Sequence, residues 1–241
     1  MTAKKHYDNL LGEVYSWTLG DFNARVTEQL DVFKRHKIFP QDNGLALDLG
    51  SGNGLQSVAL ARLGFKVNAV DFNRHLLNEL ESNKGDLPIS ITESDILSFL
   101  EKDRQQVELA ICMGDTLTHL ADWKEVDEMI RSTAAKIAKG GRLIFSWRDL
   151  TEERKNTARF IHVRSDENRS MSCFLEYFPE HVVVYDIVIE KVNGAWTQRI
   201  SHYPKLRLSS QEIFRALSRE ALTVMQQEVS RGMTIVIAGK F

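Results

Sequence analysis

The chain has 241 residues, 43% of them hydrophobic, and a formal net charge of −2 at pH 7. This length and apolar content suit one large domain, or one domain with a substantial insertion. A charge near zero, without blocks of like charge, gives no support to a broad surface for nucleic acid. Cys112 and Cys173 are far apart, so a reducing cytoplasm is the expected location. No stretch reaches the roughly 18 apolar residues of a membrane span, and the N-terminus has no apolar signal-peptide region.

Residues 4–36 are predicted to be helical, with an interruption at Gly20-Asp21. Apolar side chains recur there at helical spacing in two stripes. The stripes consist of Leu10, Leu11, Val14 and Trp17, and of Phe22, Val26, Leu30 and Phe33. Because this segment precedes the first strand, we expect it to pack over the edge of a sheet or over the mouth of a site.

Residues 45–64 are predicted to form a strand, a glycine turn and a helix. The run LALDL suits a strand that is buried on both faces, as in a parallel sheet. This order opens a nucleotide-binding βαβ unit, in which glycines let the chain reverse and let a ligand approach the backbone. A dinucleotide site requires G-x-G-x-x-G, and the third glycine is missing whether the count starts at Gly50 or at Gly52. The pattern is instead D-x-G-x-G-x-G, from Asp48 to Gly54.

This pattern resembles the first motif of the class I S-adenosylmethionine (SAM)-dependent methyltransferases. The resemblance implies a Rossmann-like fold with SAM as the cofactor. A tight turn without a ligand is the alternative, which three alternating glycines after an acidic strand disfavour. The residues of this motif that are expected to bind the cofactor are Asp48, Gly50, Ser51, Gly52 and Gly54.

Two acidic residues follow at the ends of the next predicted strands. Asp71 lies about 20 residues after Gly52, where a βαβ unit places a carboxylate that binds ribose hydroxyls. In the resembled family the next residue, here Phe72, packs on the adenine. Asp95 and Ile96 occupy positions that meet the adenine through a side chain and a backbone N–H. Capping of the helices that follow is the alternative role for both acids.

The resemblance also implies a role for the helical segment at residues 4–36. In this family such a segment often closes over the bound cofactor, which makes Tyr7, Tyr15 and Trp17 candidate lid residues. Tyr15 and Trp17 are predicted to contact the cofactor. Anchoring of the helix to the core is the alternative for each of these aromatic side chains.

A fourth buried strand, residues 107–113, runs into a loop with the sequence GDTLTHL. Ligands of open α/β sheets lie beyond the carboxyl ends of the strands, so this loop should face the reacting methyl group. The loop is similar to that of small-molecule methyltransferases of the glycine N-methyltransferase type, which places Met113 and Gly114 next to the cofactor. Asp115 and His119 are the ionisable candidates for positioning or deprotonating an acceptor, with structural roles as the alternative.

The later part of the chain changes its pattern. Arg148-Asp149 follows the fifth strand and is expected to meet the substrate or to form an internal pair. Residues 160–203 alternate with period two, which predicts an antiparallel meander with a hairpin turn at Asn193-Gly194. Such an insertion covers the acceptor site or forms an oligomer interface. Candidate acceptor contacts are Arg159, Arg164, Tyr177, Tyr185, His202 and Tyr203.

Together these patterns predict an α/β fold. The expected core is a Rossmann-like, seven-stranded, mostly parallel sheet whose last strand is antiparallel, with the antiparallel β-meander inserted. The expected organisation is a helical cap over 1–44, a SAM-binding domain over 45–150 and 204–241, and the meander over 151–203.

The predicted function is methyl transfer from SAM to a small-molecule acceptor by in-line displacement, with an amine nitrogen as one acceptor class. An NAD-dependent oxidoreductase is disfavoured by the glycine spacing and by the final hairpin. A SAM-binding module without turnover and a methyltransferase for RNA or protein are further alternatives. No metal site, nucleic acid or membrane partner is expected, and a homodimer is left open.

Overall fold

The computed structural model describes residues 1–241, whose strands form two separate sheets. The strands are β1 (Leu45–Leu49), β2 (Lys66–Asp71), β3 (Ile89–Glu93), β4 (Val107–Cys112), β5 (Ile137–Trp147), β6 (Phe160–Ser165), β7 (Arg169–Tyr177), β8 (His181–Val192), β9 (Ala195–Leu206), β10 (Leu222–Ser230) and β11 (Met233–Lys240). The α-helices are α1 (Ala3–His6), α2 (Gly12–Leu19), α3 (Phe22–Arg35), α4 (Leu55–Arg62), α5 (Arg74–Lys84), α6 (Ile96–Lys102), α7 (Trp123–Lys136) and α8 (Ser210–Arg219). A π-helical turn covers Tyr7–Leu11, and 3-10 turns cover Thr116–His119 and Asn156–Arg159.

The larger sheet has seven strands in the order β10-β11-β5-β4-β1-β2-β3. The pairs formed by β1 with β2 and β4, by β2 with β3, and by β4 with β5 are parallel. Parallel neighbours need crossover connections, and helices provide them here. The last strand, β11, is antiparallel to both β5 and β10. The Rossmann-like sheet with an antiparallel last strand, predicted from the sequence, is confirmed.

Helices cover both faces of the larger sheet, and each face has its own apolar core. Helices α3, α4 and α5 pack on one face, and α6, α7 and α8 pack on the other. Every position of β4 is buried, because both faces of a central parallel strand are covered. The carboxyl ends of these strands therefore remain as the edge at which a ligand can approach. None of the helices is long and apolar enough to cross a membrane.

Residues 3–19 run through α1, the π-helical turn and α2 as one helical unit, the N-terminal segment. The segment ends at Gly20, which has a φ of 88°, and Asp21 then caps α3 by accepting the Ala24 N–H at 2.7 Å. The predicted break is thus present. Leu10, Leu11 and Val14 pack against the smaller sheet, not against the larger one.

The smaller sheet is an antiparallel meander in the order β6-β7-β8-β9. Asn193 and Gly194 both have positive φ, 50° and 84°, as a type I′ turn between β8 and β9 requires. The inner face of the meander contacts the N-terminal segment. Tyr185 and His202 belong to the opposite, outer face, because they alternate with the inward Val184 and Tyr203. This placement argues against the expectation that Tyr185 and His202 contact an acceptor.

Candidate active site

The loop after β1 turns through left-handed backbone conformations. Gly50, Gly52 and Gly54 have φ values of 78°, 53° and 87°. A Cβ added to Gly50 would lie 2.9 Å from the Cβ of Thr116 and would overlap the rest of that side chain. Glycine at position 50 therefore allows the loop after β1 to approach the loop after β4 closely.

Asp71, at the end of β2, holds this loop from the side. One carboxylate oxygen accepts the Gly52 N–H at 2.8 Å, and the other accepts the Asn73 N–H at 2.8 Å. Each oxygen keeps a second lone pair that is able to accept a ligand hydroxyl. Helix α5 is capped by Asn73, which accepts the Leu76 N–H at 3.0 Å, so the alternative of Asp71 as the helix cap is wrong.

Two buried polar atoms near this edge have no partner. They are Ser51 Oγ, in the glycine loop, and His119 Nε2, in the loop after β4. A buried polar atom that lacks a hydrogen bond costs about 1–3 kcal/mol, and a ligand or water bonded to Ser51 Oγ and His119 Nε2 would remove that cost. These two atoms, the side-chain-free surface of Gly52 and the unused lone pairs of Asp71 together fit the polar groups of the cofactor predicted from the sequence.

Asp48 supports the glycine loop from within the core. Its carboxylate is 1% exposed and accepts the Ser57 hydroxyl, at the start of α4, at 2.6 Å. Burial raises the pKa of Asp48 to about 7, against the opposing effect of the Ser57 bond. This position suits a role in shaping the loop, and direct contact of the Asp48 side chain with the cofactor stays a prediction.

Tyr15 of the N-terminal segment lies across the ends of two strands. A Cβ added to Gly52 would be 3.8 Å from Tyr15 Cε1, and one added to Gly114 would be 3.9 Å from the Tyr15 hydroxyl. Burial, and next the charge of Asp71, raise the pKa of Tyr15 to about 12, so its hydroxyl stays protonated at neutral pH. The Tyr15 side chain thus lies between the loops after β1 and β4.

The neighbouring contacts of the segment reach the predicted adenine side. Tyr7 meets Phe72 edge to face, with ring centroids 5.8 Å apart. Asn73 Nδ2 donates to Asp8 Oδ1 at 3.1 Å, and Asn53 Nδ2, in the glycine loop, donates to Ser16 Oγ at 2.8 Å. The N-terminal segment is therefore bonded directly to both cofactor-side loops, as a lid would be.

Trp17 binds elsewhere on the molecule. Its indole N–H donates to Asp166 Oδ2 at 2.6 Å, in the turn between β6 and β7. The guanidinium groups of Arg164 and Arg169 lie 5.6 and 5.3 Å from its ring centroid. These contacts attach the end of the N-terminal segment to the meander. Trp17 therefore has a structural, anchoring role in this arrangement. A contact between Trp17 and the cofactor stays a prediction.

Asp95 and Ile96 lie at the end of β3, where α6 begins. Asp95 is exposed and caps α6 by accepting the Ser98 N–H at 2.9 Å through Oδ1. Its second oxygen, Oδ2, and the half-buried Ile96 are the groups left for an adenine contact. Capping is thus observed for Asp95, and its predicted adenine contact stays a prediction.

Asp115 forms a charged cluster with two basic residues beyond the ends of β4 and β5. Its Oδ2 accepts from Lys205 Nζ at 2.9 Å and from Arg148 Nη1, and its Oδ1 accepts the Arg148 N–H at 2.6 Å. Burial alone would raise the pKa of Asp115, but the charges of Lys205 and Arg148 outweigh burial and lower it below its ordinary value. A carboxylate held ionised in this way is a poor proton acceptor. The arrangement argues against Asp115 as a general base and also against an Arg148–Asp149 pair.

His119 stays neutral in this environment. Burial lowers its pKa to about 3, and the charge of Lys205 adds to this effect. Its ring meets Tyr7 and Tyr203 at centroid distances of 5.7 and 5.4 Å. A neutral imidazole with an unpartnered Nε2 is able to orient an acceptor through one hydrogen bond, and it is a weak base at neutral pH. Met113 is buried at the end of β4, and Gly114 donates its N–H to Ser146 Oγ at 2.9 Å.

Sequence reasoning missed His6, which joins the N-terminal segment to the meander. The ring is 0% exposed, with Nε2 2.8 Å from Asp186 Oδ2 and Nδ1 2.8 Å from Ser201 Oγ. It also stacks on Tyr203, with centroids 4.2 Å apart and planes at 17°. Asp186 and Ser201 face each other across β8 and β9, so one ring fastens the segment to both strands. No local motif marks these three residues, which are distant in sequence.

We expect His6→Phe to loosen the N-terminal segment. Phenylalanine keeps a ring to stack on Tyr203 but leaves the Asp186 carboxylate unpartnered and removes one of the two hydrogen bonds of Ser201, which should lower the free energy of unfolding by about 2 kcal/mol. Hydrogen exchange followed by mass spectrometry should show faster exchange over residues 3–19. Lys5→Ala, at an exposed position of the same helix whose side chain forms no hydrogen bond or ion pair, is the control and should leave exchange unchanged. Equal protection of the segment in His6→Phe and wild type would contradict the fastening role.

Comparison with known proteins gives matches to methyltransferases. Residues 46–141 match a family model described as a methyltransferase domain. The ubiquinone biosynthesis O-methyltransferase of Coxiella burnetii is 35% identical over 101 residues, which is 42% of this chain and 42% of that protein. The match therefore spans less than half the length of this curated relative. Human glycine N-methyltransferase is 24% identical over 246 residues, covering 88% of this chain and 81% of that protein.

Solved structures with low sequence identity share the fold of this chain. CalS10, an amino pentose methyltransferase from Micromonospora echinaspora whose structure was solved with SAM bound, superposes with a TM-score of 0.77. The superposition covers 95% of this chain and 96% of that chain at 15% sequence identity. A likeness at this level of identity is one of fold. No group of three or more His, Cys, Asp or Glu side chains lies close enough together to hold a metal ion.

Proposed function

We propose that this chain, in which residues 46–141 form a class I SAM-dependent methyltransferase domain, transfers a methyl group from SAM to a small-molecule acceptor. The family and the fold predicted from the sequence are both confirmed. SAM supplies a methyl group that is already activated by the positive charge on its sulfur. The protein then needs to hold the acceptor about 3–3.5 Å from that methyl and in line with the sulfur.

The observation that carries this proposal is the edge formed by the glycine loop and Asp71. The loop supplies the unpartnered Ser51 Oγ and the bare Gly52, and Asp71 keeps lone pairs for ribose hydroxyls. The same loop starts α4, whose first N–H groups and positive dipole end favour a carboxylate such as that of the methionine part. Phe72 would line the adenine side, and Tyr15 would cover the ligand.

The charged cluster bears on the acceptor. Lys205 and Arg148 carry two positive charges against one negative charge on Asp115, which leaves one net positive charge in this cluster. Nearby positive charge lowers the pKa of an amine and favours its neutral form, whose lone pair is the nucleophile. The same charge also lowers the pKa of a hydroxyl group, and the amine nitrogen predicted from the sequence remains the proposed acceptor atom, oriented by His119 without a strong base.

The location of the protein in the cell and its assembly state are also proposals. A cytoplasmic location is supported by the two free cysteines, Cys112 and Cys173. A homodimer is supported by the exposed apolar residues of the meander. A SAM-binding module without turnover differs from the enzyme in one measurable way, because it would bind the cofactor and methylate nothing.

Thermal-shift and calorimetric titration with S-adenosylhomocysteine test the cofactor site. At a ligand concentration 100 times Kd, stabilisation of about 2.7 kcal/mol should raise the Tm by about 5–10 °C. NADH should have no effect. Asp71→Asn should abolish most of the Tm shift caused by S-adenosylhomocysteine, because the new side-chain NH2 group would face the backbone N–H of Gly52 or of Asn73. The control is Asp86→Asn, at an exposed position, which should show the same Tm shift as the wild type.

The opposite pattern, with NADH stabilising the protein and S-adenosylhomocysteine inert, would overturn the proposal. Turnover is tested separately by incubation with labelled SAM and a fractionated metabolite extract. Label that moves to a small molecule supports the enzyme, and cofactor binding without any movement of label supports the module.

A further inference from the structure

Two buried asparagines connect the N-terminal segment to the two loops that are proposed to bind the cofactor. Asn53 lies in the glycine loop after β1, and Asn73 follows Asp71 at the end of β2. Both are 2% exposed, and both donate a hydrogen bond to the segment from the side-chain Nδ2. The acceptor is Ser16 Oγ for Asn53, at 2.8 Å, and Asp8 Oδ1 for Asn73, at 3.1 Å. We call these two residues the asparagine pair.

The π-helical turn brings the two acceptors onto one face of the segment. Asp8 and Ser16 are eight residues apart, and eight residues of α-helix rotate a side chain about 80° past two full turns. The π-helical turn takes up one extra residue, because the Gly12 N–H bonds the carbonyl of Tyr7, five residues back. The remaining rotation is that of seven residues, about 20° short of two turns. The segment can therefore meet both members of the asparagine pair at once.

Gly12 lets the segment lie directly on Asn73. A Cβ added at position 12 would be 2.8 Å from the Tyr7 carbonyl oxygen and 3.1 Å from Asn73 Oδ1. The first distance is shorter than real Cβ contacts, and the second is shorter than most of them. The backbone here is ordinary helix, with a φ of −54°, so the conformation itself does not require glycine. What requires it is the close approach of the segment to the start of α5.

Asn73 also bonds the carboxylate that is proposed to hold the ribose. Its backbone N–H donates to Asp71 Oδ1 at 2.8 Å, and its Oδ1 caps α5 by accepting the Leu76 N–H at 3.0 Å. The Nδ2 group is then free for Asp8 of the segment. One residue thus joins the ribose carboxylate, the start of α5 and the N-terminal segment.

We propose that Asn53 and Asn73 are positioning residues that couple cofactor binding to the docking of the N-terminal segment on the loops after β1 and β2. A ligand that orders these loops fixes both amide donors, and the docked segment places Tyr15 between the loops after β1 and β4. Because such coupling is reciprocal, docking raises the affinity for the cofactor as much as the cofactor favours docking. The coupling rests on the proposed SAM site, whereas docking itself is measurable without cofactor.

Asn73→Ser separates the bond to the segment from the helix cap. Serine caps a helix about as well as asparagine but has no amide donor for Asp8. Hydrogen exchange over residues 3–19, without cofactor, should become about 3- to 10-fold faster, as the loss of one hydrogen bond predicts. The Kd for S-adenosylhomocysteine, measured by calorimetry, should rise by a similar factor. Asn78→Ser, the same substitution at an exposed position of α5, is the control and should change neither value.

Two further variants test the contacts themselves. Asp8→Ala removes the acceptor of the bond that Asn73→Ser removes from the donor side. The double variant should therefore match Asn73→Ser in Kd to within about 2-fold, and multiplied losses would contradict a shared bond. Gly12→Ala should speed exchange of the segment, although alanine ordinarily stabilises a helix relative to glycine. Slower exchange in Gly12→Ala would contradict the close approach to Asn73.

The response to cofactor completes the test. Saturating S-adenosylhomocysteine should slow exchange over residues 3–19 about 5-fold or more in the wild type, and less in Asn73→Ser. Circular dichroism and the Tm establish that each variant is folded. Wild-type binding with an unchanged Kd in Asn73→Ser would overturn the coupling and leave the proposed function standing. A wild type that does not bind S-adenosylhomocysteine would overturn the proposed function and the coupling with it.

Discussion

Asp115→Asn is expected to lower the free energy of unfolding by about 3–5 kcal/mol, among the largest effects of any single substitution in this chain. Asp115 is 2% exposed, and its carboxylate neutralises Lys205, whose side chain is only 11% exposed. Without the carboxylate, the Lys205 ammonium would remain buried and unpaired. The half-exposed Arg148 would be hydrated and would lose less. Urea unfolding at pH 7 measures the difference.

A second substitution separates the ion pair from a general loss of packing. In Asp115→Asn combined with Lys205→Met the unpaired ammonium is gone, so the double variant should recover part of the lost stability, on the order of 1–3 kcal/mol. Asp149→Asn, at an exposed neighbouring position, should change stability by less than about 0.5 kcal/mol. Additive losses in the double variant would contradict the role assigned to the pair.

The same cluster predicts a dependence of stability on pH. The folded-state pKa of Asp115 is lowered, so its contribution is fully present above the unfolded value of about 3.9. The contribution should be lost progressively as the pH falls below about 4 toward the folded-state pKa. Unfolding free energies measured from pH 6 downward should therefore fall less steeply in the double variant than in the wild type.

Gly50→Ala should reduce both stability and cofactor affinity. The residue has a φ of 78°, which costs an L-amino acid about 1–2 kcal/mol. Its new Cβ would also lie 2.9 Å from the Cβ of Thr116, which rotation of that side chain does not relieve. Overpacking of this kind adds about 1–3 kcal/mol. Because the loops after β1 and β4 would be forced apart, the Kd for S-adenosylhomocysteine should rise at least about 10-fold, by calorimetry.

Gly140→Ala is the control that isolates the backbone strain. Gly140 has a φ of 84°, close to that of Gly50, but an added Cβ meets nothing within 4 Å. Its cost should be limited to about 1–2 kcal/mol, with cofactor affinity unchanged. Equal losses of stability in the two variants would show that the contact with Thr116 has no energetic role.

Local patterns predicted the parts of the site that lie next to each other in the chain. The glycine run after LALDL marks the loop, and the distance from Gly52 to Asp71 follows from the length of one βαβ unit. The structure joins these two residues by a 2.8 Å hydrogen bond. The sequence alone does not decide which residue caps α5, because Asp71 and Asn73 are both good capping residues. The structure assigns the cap to Asn73.

Side chains brought together over long distances were not predictable in the same way. His6, Asp186 and Ser201 meet only because the N-terminal segment packs on the meander. Lys205 stands in an alternating strand, where nothing in the local pattern distinguishes a lysine that is bonded to Asp115 from one in solvent. The period of two in the meander predicted strands, but it did not tell which face would be covered.

The sequence by itself determined the Rossmann-like core, the glycine loop and the acid that follows it, because strand burial, turn glycines and crossover length are all set by residues close in the chain. Only the tertiary structure decided that Asp115 is saturated by two cations and that Trp17 is tied to the meander. It also decided which face of the meander is left open. Those outcomes depend on which surfaces pack together. Packing between distant segments produces no periodic pattern in the sequence of either segment.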